Sequence, residues 1–235
     1  MNVFVTRASG YVGTPLCHEL QFHGHTVLAL ARSDASAQKL SDAGYTVHRG
    51  SLDDLASLQA CARAADGVIH TAFNHDFSRY KESGEDDLRV VQAIGEALAG
   101  TNKPFVITSG TTVVTAHTRG LESDPGDPES ASFPCVASEN AIKALASKGV
   151  RGSIVRLPPS VHGKGDKAFI PALIGIAKTQ RVFSLPRGDT RVASRTCPRR
   201  MCPLYTRARE SSGWIVSPCG RRGGYRVQGY CGVGR

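Results

Sequence analysis

The feature that most constrains the fold is a regular alternation of short apolar runs with segments of helical spacing. Six runs have the length and composition of buried strands, at residues 2–6, 26–31, 46–49, 67–71, 105–109 and 152–157. Helical segments are predicted at residues 14–23, 35–43, 52–64, 86–98, 137–148 and 168–178. Because parallel strands need long crossover connections, this alternation predicts an α/β protein with a doubly wound parallel sheet.

The chain has 235 residues, which is enough for one good-sized domain with a hydrophobic core. It contains no apolar run of about 18 residues, so no membrane-spanning helix is predicted. The first residues also lack the basic and apolar regions of a signal peptide. We therefore expect a soluble cytoplasmic protein with no membrane partner.

The net charge of +9 is concentrated at one end of the sequence. Residues 186–235 contain 11 Arg, no Lys and no His, with only two acidic residues, Asp189 and Glu210. Four of the seven Cys also lie there. We divide the chain into a domain at residues 1–185 and a C-terminal tail at residues 186–235, which has no strand or helix periodicity and is predicted to be disordered.

Four interpretations of the C-terminal tail are open. A basic nucleic-acid arm fits the Arg count but not the absence of Lys, and the Cys spacing lacks the paired C-x-x-C units and His of a zinc site. A redox element is the third. The fourth, which we favour, is a frame-shifted remnant of a substrate-binding region. If the reading frame is shifted by one base, the codons of residues 201–211 and 218–235 can encode plausible helical segments. An uninterrupted native reading frame in the DNA, with a supporting transcript, would contradict this hypothesis.

A glycine-containing loop, VTRASGYVG at residues 5–13, connects the first predicted strand to the first helix. Ser9, Gly10 and Gly13 allow close approach of a ligand to the backbone, and the start of the helix offers free N–H groups to a pyrophosphate. A loop in this strand–helix context predicts a dinucleotide site. Arg7 stands where the first glycine is expected. At a positive φ it would cost about 1–2 kcal/mol, so we expect weakened but not abolished binding.

The end of the second predicted strand indicates which dinucleotide is bound. A site that prefers NAD has an acidic residue there to accept the ribose hydroxyls. This chain has Arg32 and Ser33 instead. A guanidinium and a hydroxyl suit an additional phosphate group, which favours NADP over NAD as the cofactor. The alternative is an ordinary surface arginine.

Five segments together resemble the short-chain dehydrogenase/reductase superfamily, in its extended or atypical branch of NAD(P)-dependent epimerase/dehydratase-like proteins. They are residues 5–13, 50–55, 68–76, 105–111 and 155–163, in the order of that family. The resemblance implies a Rossmann fold and a small-molecule substrate. It implies that Thr108 and Ser109 face the nicotinamide and that the loop at residues 157–160 covers its carboxamide. It also implies that Ser51 and Leu52 border the adenine and that Thr71, Ala72 and Phe73 line the ribose side. The predicted cofactor-binding residues are Thr6, Ser9, Gly10, Tyr11, Val12, Gly13, Arg32, Ser33, Ser51, Leu52, Thr71, Ala72 and Thr108.

The catalytic residues of that superfamily are incomplete in this sequence. Its reductases use a Tyr as acid and a Lys four residues later, whereas the corresponding positions here are Cys135 and Glu139. Neither can repeat that chemistry. Ser109 and Thr111 remain as candidate catalytic hydroxyls, and His75 as a candidate proton donor. We expect Lys143 to form a surface ion pair with Glu139.

The resemblance therefore implies an NADP(H)-binding, epimerase/dehydratase-like oxidoreductase that acts on a small carbonyl or hydroxyl compound, with impaired catalysis in this form of the chain. The alternative is a non-catalytic NAD(P)-binding sensor, which needs the nucleotide fold but no Tyr–Lys pair. A nucleic-acid binder with a basic tail is a weaker third reading. No metal site is predicted.

Overall fold

The computed structural model describes residues 1–76, 79–114, 120–128, 133–158, 160–163, 165–166, 169–180 and 194–196. Of the C-terminal tail it describes only Ser194–Thr196. These three residues form a strand, and the predicted disorder of the rest of the tail falls outside the described residues.

Six parallel strands form the main sheet, in the order β3-β2-β1-β4-β5-β6. The strands are β1 (Asn2–Thr6), β2 (Thr26–Ala31), β3 (Thr46–Arg49), β4 (Gly67–His70), β5 (Pro104–Gly110) and β6 (Arg151–Leu157). The predicted α/β class and doubly wound parallel sheet are confirmed. The strand order reverses between β1 and β4, and ligands of such sheets bind at the carboxyl ends of the strands at this point.

Six helices connect or flank these strands. They are α1 (Gly13–Phe22), α2 (Asp34–Asp42), α3 (Leu55–Ala64), α4 (Tyr80–Leu98), α5 (Phe133–Leu145) and α6 (Phe169–Gln180). Helix α3 begins three residues later than predicted because the side chain of Asp54 caps it, accepting a hydrogen bond from the Ser57 amide at 3.0 Å.

Helix α4 begins six residues earlier than its acidic residues suggested. The sequence pattern placed Asp86 and Asp87 in the first turn, but they lie in the second. The first turn instead buries the small residues Ser83 and Gly84. Small residues contribute little to a hydrophobic pattern, so this part of the buried face was not recognised.

The hydrophobic core lies on both faces of the sheet because successive side chains of each strand point to opposite sides. On one face Phe4, Phe105 and Ile107 pack with residues of α3, α4 and α5. On the other face Val3 and Val5 pack with residues of α1 and α2. This packing of both faces fixes the carboxyl edge of the sheet, where the candidate site lies.

A second, two-stranded parallel sheet pairs β7 (Ser160–His162) with β8 (Ser194–Thr196). It joins the segment after β6 to the described part of the C-terminal tail. Among the described residues no helix is long and apolar enough to cross a membrane.

Candidate nucleotide and catalytic site

The glycine loop between β1 and α1 is closed by its own backbone. The Gly10 amide donates to the Arg7 carbonyl at 2.9 Å, and the Thr14 amide donates to the Gly10 carbonyl at 2.9 Å. A Cβ atom added at Gly13 would lie 2.2 Å from the Arg7 carbonyl oxygen, so only glycine fits there. Helix α1 begins with Val12 at its N-cap and no side-chain cap from the described residues. Since the Thr14 amide is bonded to Gly10 and Pro15 has no N–H, the Gly13 amide is the first-turn donor that remains available to an anion within the described part of the chain.

Arg7 adopts the left-handed conformation that glycine would adopt most easily, with φ of +50°. The backbone strain expected for an arginine at a positive φ is therefore present at this position. Its side chain runs beside the loop, and its Nη1 donates to the Phe73 carbonyl at 2.5 Å. The guanidinium thus links the loop after β1 to the loop after β4, and both loops lie at the carboxyl edge where a dinucleotide would bind.

The end of β2 is basic, as the sequence indicated. Arg32 is exposed, and within the described part of the chain no carboxylate pairs with it. Across the ladder, Ala31 lies opposite Arg49, whose guanidinium pairs with Asp34 at 2.8 Å. The Ser33 hydroxyl caps α2 by accepting from the Ser36 amide at 3.2 Å. It is thus already engaged locally, and Arg32 is the principal phosphate candidate.

Helix α2 also contacts the glycine loop. Lys39 Nζ donates to the Ser9 carbonyl at 3.3 Å and to Thr14 Oγ1 at 3.5 Å. Its ammonium group therefore lies at the beginning of α1, where it adds positive charge to the N-terminal end of the helix dipole. Lys39 could not be recognised as a site residue from the sequence, because only the three-dimensional packing of α2 brings it to the loop.

The two residues expected to border the adenine follow β3. The Ser51 hydroxyl accepts from the Asp53 amide at 3.2 Å, and Leu52 is half-buried against the core. The Gly50 amide donates to the Ala31 carbonyl at 3.1 Å, which ties this turn to the end of β2. Ser51 and Leu52 thus lie near the end of β2, which Arg32 follows. Their contact with a nucleotide stays a prediction.

The Thr6 hydroxyl organises the residues after β4. Thr6 is fully buried, and its Oγ1 accepts from the amides of Thr71 at 3.1 Å and Ala72 at 3.2 Å. The Thr71 hydroxyl returns a bond to the Thr6 carbonyl at 2.7 Å. Thr108 Oγ1 donates to the His70 carbonyl at 3.3 Å. The expected ribose-side residues are therefore held in place by β1.

A buried chain of side chains extends from Thr6, and sequence reasoning did not find it. His70 Nδ1 lies 2.9 Å from Thr6 Oγ1, and His70 Nε2 lies 3.0 Å from Asp87 Oδ1. The Ser138 hydroxyl donates to Asp87 Oδ2 at 2.5 Å. We call these four residues the buried network. They come from β1, β4, α4 and α5, so no sequence spacing groups them.

Of the two candidate catalytic hydroxyls, Ser109 is better placed. It lies near the carboxyl end of β5, and its Oγ is buried with no hydrogen-bond partner among the described residues. An unpaired buried hydroxyl is costly and is expected where a ligand completes the site. Thr111 begins the 3₁₀ turn Thr111–Val113 that follows β5.

Cys135, at the expected tyrosine position, lies in a half-buried site on α5. Its Sγ is 3.5 Å from the Tyr80 hydroxyl. Burial raises the pKa of the Cys135 thiol; the Tyr80 hydrogen bond opposes this, and the nearby Asp87 and Glu139 raise it further. The thiol therefore stays protonated at neutral pH and is neither a thiolate nucleophile nor a strong acid.

The predicted ion pair between Lys143 and Glu139 is wrong. Glu139 is fully buried and forms a bidentate pair with Arg156 of β6, with Nε–Oε1 and Nη2–Oε2 distances of 3.0 and 2.6 Å. Arg156 Nη1 also donates to the Asp124 carbonyl at 3.0 Å. Glu139 faces the sheet, and its charge is neutralised there. A surface lysine on the same helix cannot compete for it.

His75 follows β4, where its ring packs edge-on against Phe73. Desolvation lowers the pKa of His75, and the positive charge of Arg7 lowers it further, against a smaller opposing effect of the bond to the Phe73 carbonyl. The imidazole is consequently neutral at pH 7. A proton donor has to carry the proton at working pH, so the lowered pKa disfavours His75 in that role.

We predict that Glu139→Gln destabilises the domain by about 3 kcal/mol, because it leaves the guanidinium of Arg156 in a buried site without its counter-charge. The measurement is chemical denaturation monitored by circular dichroism. Asp34→Asn, which breaks the exposed pair with Arg49, is the control and should leave stability unchanged. The double variant Glu139→Gln/Arg156→Met should recover part of the loss. Equal stability of Glu139→Gln and the parent chain would contradict the prediction.

Comparisons with known proteins agree with this geometry. The family model described as "NAD dependent epimerase/dehydratase family" matches residues 3–192. An uncharacterized protein of Schizosaccharomyces pombe is 44% identical over 182 residues, covering 77% of this chain and 61% of that protein. One of Saccharomyces cerevisiae is 44% identical over 180 residues, covering 76% and 60%. The chain thus spans about three fifths of the length of these relatives.

Solved structures show the same fold. The UDP-glucose 4-epimerase of Thermus thermophilus, in complex with NAD, superposes with a TM-score of 0.60 at 20% identity, covering 75% of this chain and 61% of that one. The UDP-glucose 4-epimerase of Thermotoga maritima, with UDP-glucose, gives 0.62 at 14% identity, covering 77% and 63%. With the sheet order, the glycine loop and the family match together, the chain belongs to the NAD-dependent epimerase/dehydratase family.

Proposed function

We propose that the carboxyl edge of the sheet binds NADP(H), and that the chain is an epimerase/dehydratase-like oxidoreductase for a small carbonyl or hydroxyl compound. The observation that carries the proposal is the basic end of β2, where Arg32 is exposed and no carboxylate pairs with it among the described residues. The NAD complex of the Thermus epimerase supports a nicotinamide nucleotide as a ligand of this fold.

The charges around the edge support the phosphorylated nucleotide. Arg32 would pair with the 2′-phosphate, since a guanidinium binds two phosphate oxygens at once. The Gly13 amide at the beginning of α1, with Lys39 Nζ near it, would hold the pyrophosphate. The glycine at position 13 keeps this loop tight against the start of α1, because any side chain there would meet the Arg7 carbonyl.

The unpaired hydroxyl of Ser109 supports a catalytic role for this edge. A bound nicotinamide supplies or accepts a hydride. Ser109 is half-buried as a residue, and a rotation of its side chain would turn the unpaired Oγ outward to donate a hydrogen bond to the oxygen of the reacting carbonyl. Thr111 follows on the same segment as a second hydroxyl. Because Cys135 and Glu139 replace the usual acid and its lysine, we expect turnover to be slow.

A non-catalytic NAD(P)-binding sensor is the second candidate, and the Glu139–Arg156 pair favours it. This pair uses the expected lysine position for packing, and the charge of its cation, Arg156, is already neutralised by Glu139 instead of assisting a phenol or a hydroxyl. A sensor would require only nucleotide binding and a response of the loops around it.

We predict that the chain is stabilised more by NADPH than by NADH in a thermal-shift titration. Arg32→Ala should weaken NADPH about 10- to 100-fold through the lost charged hydrogen bonds, with little effect on NADH. Arg63→Ala is the control, because it removes another exposed arginine, at the far end of α3. Equal affinity of Arg32→Ala and the parent chain for NADPH would contradict the assignment of Arg32 to the 2′-phosphate. No stabilisation by either nucleotide would remove the proposed function.

Arg7→Gly should bind NADPH more tightly than the parent chain. Glycine removes the left-handed strain at position 7 and clears the side chain beside Gly10. We expect a gain of about threefold to tenfold in affinity, equal to roughly 0.7–1.4 kcal/mol. The measurement is isothermal titration calorimetry.

Arg7→Asn separates strain from charge at this position. Asn tolerates the left-handed region and occurs there at Asn102 in the same protein, where φ is +54°. If Arg7 hinders binding by its bulk and strain, the Gly and Asn variants both gain affinity. A loss of affinity in both variants would instead show that the guanidinium contributes directly to nucleotide binding, contrary to the prediction.

Hydride transfer distinguishes the enzyme from the sensor. For the enzyme we expect slow NADPH oxidation, followed by absorbance, with a panel of small aldehydes and ketones. Ser109→Ala should lower the rate about 100-fold with unchanged NADPH affinity. NADPH binding without oxidation by any member of the panel, and with no effect of Ser109→Ala, would favour the sensor over the enzyme.

A further inference from the structure

We propose that Asp87 is a positioning residue for the nucleotide site and acts through the tautomer of His70. The inference deepens the proposed function and rests on it for its effect on affinity. It starts from the buried network, in which one carboxyl oxygen of Asp87 accepts a hydrogen bond from His70 of β4 and the other accepts one from Ser138 of α5. His70 is 1% exposed, so water does not compete for its ring nitrogens.

The hydrogen-bond inventory of Thr6 determines which nitrogen of His70 carries the proton. A hydroxyl has one donor and two acceptor positions. The two amides after β4 already occupy both acceptor positions of Thr6 Oγ1. The Thr6 hydroxyl hydrogen must therefore point to His70 Nδ1, which lies 2.9 Å away and accepts it. The His70 proton is consequently on Nε2, and it is donated to Asp87 at 3.0 Å.

Asp87 holds this tautomer because a carboxylate can only accept. With an amide at position 87, the NH₂ group could instead donate to His70 Nε2, and the ring proton would move to Nδ1. His70 Nδ1–H would then donate to Thr6 Oγ1, whose acceptor positions are already taken. One of the amides of Thr71 and Ala72 would lose its acceptor, and the loop after β4 would shift.

The arrangement of Thr6, His70 and Asp87 has the order of a nucleophilic triad, but it does not function as one. Thr6 is fully buried, so no substrate carbonyl can reach its hydroxyl. Both lone pairs accept backbone amides, which leaves none for attack. The same contacts instead shape the loop that ends at Phe73, the residue that Arg7 also contacts. Through Ser138, Asp87 further fixes α5, which carries Cys135.

The test compares Asp87→Asn with Asp86→Asn in the full-length chain. Both variants remove one negative charge from neighbouring positions of α4, but the Asp86 side chain is half-exposed and pairs only with Arg89 among the described residues. Two readouts are taken for each variant. The first is the protonation of the His70 ring nitrogens by long-range ¹H–¹⁵N correlation spectra, together with the amide signals of Thr71 and Ala72. The second is the dissociation constant for NADPH.

In the parent chain we expect the His70 proton on Nε2. Asp87→Asn should populate the Nδ1–H form, shift one of the two amide signals strongly and weaken NADPH about tenfold. Asp86→Asn should match the parent chain in the His70 tautomer, in the two amide signals and in the dissociation constant for NADPH. Ser138→Ala keeps the His70 bond and should preserve the tautomer, which distinguishes this mechanism from general loosening of α4.

Three results would overturn the inference. They are a His70 proton on Nδ1 in the parent chain, an unchanged tautomer in Asp87→Asn, and a changed tautomer with NADPH affinity within twofold of the parent. Absence of NADPH binding by the parent chain would contradict the proposed function instead, and the ring-nitrogen spectra would still decide whether Asp87 fixes His70.

Discussion

The carboxyl edge of this sheet depends on one hydroxyl group, that of Thr6. It lies at the end of the central strand, and it accepts the first two amides that leave the ladder after β4. Without it those amides would be buried and unpaired at the point where the strand order reverses, which is costly in a site closed to water. The crevice between β1 and β4 therefore keeps a defined shape before any ligand arrives.

The unusual residues of the sequence occur around this edge and outside the two hydrophobic clusters of the core. Arg7 replaces a glycine at a left-handed position and compensates in part by contacting the opposite loop through Phe73. Glu139 replaces a lysine and is neutralised by Arg156. In both cases a local rule is broken and a contact between two elements repairs it. The fold thus remains intact although both positions depart from the pattern that the sequence resemblance implies.

The sheet could be predicted almost residue by residue, because buried strands appear as continuous apolar runs and the helices between them have clear periodicity. β1, β2 and β3 have the predicted bounds. The glycine loop and the basic end of β2 were also visible, since each depends on neighbouring positions in the chain. Helix starts were less certain: α4 extends six residues earlier, over small buried residues that carry little hydrophobic signal.

The buried network and the Glu139–Arg156 pair could not be predicted, because each joins side chains far apart in the sequence. In a single sequence His70 is one more residue of an apolar strand, and Asp87 resembles an acid placed for the helix dipole. Only the packing of α4 and α5 against β4 gives the two a common role. A buried polar residue in a strand nevertheless requires a partner. Asking which acidic residue His70 could reach is thus the step by which a sequence alone could have pointed to the network.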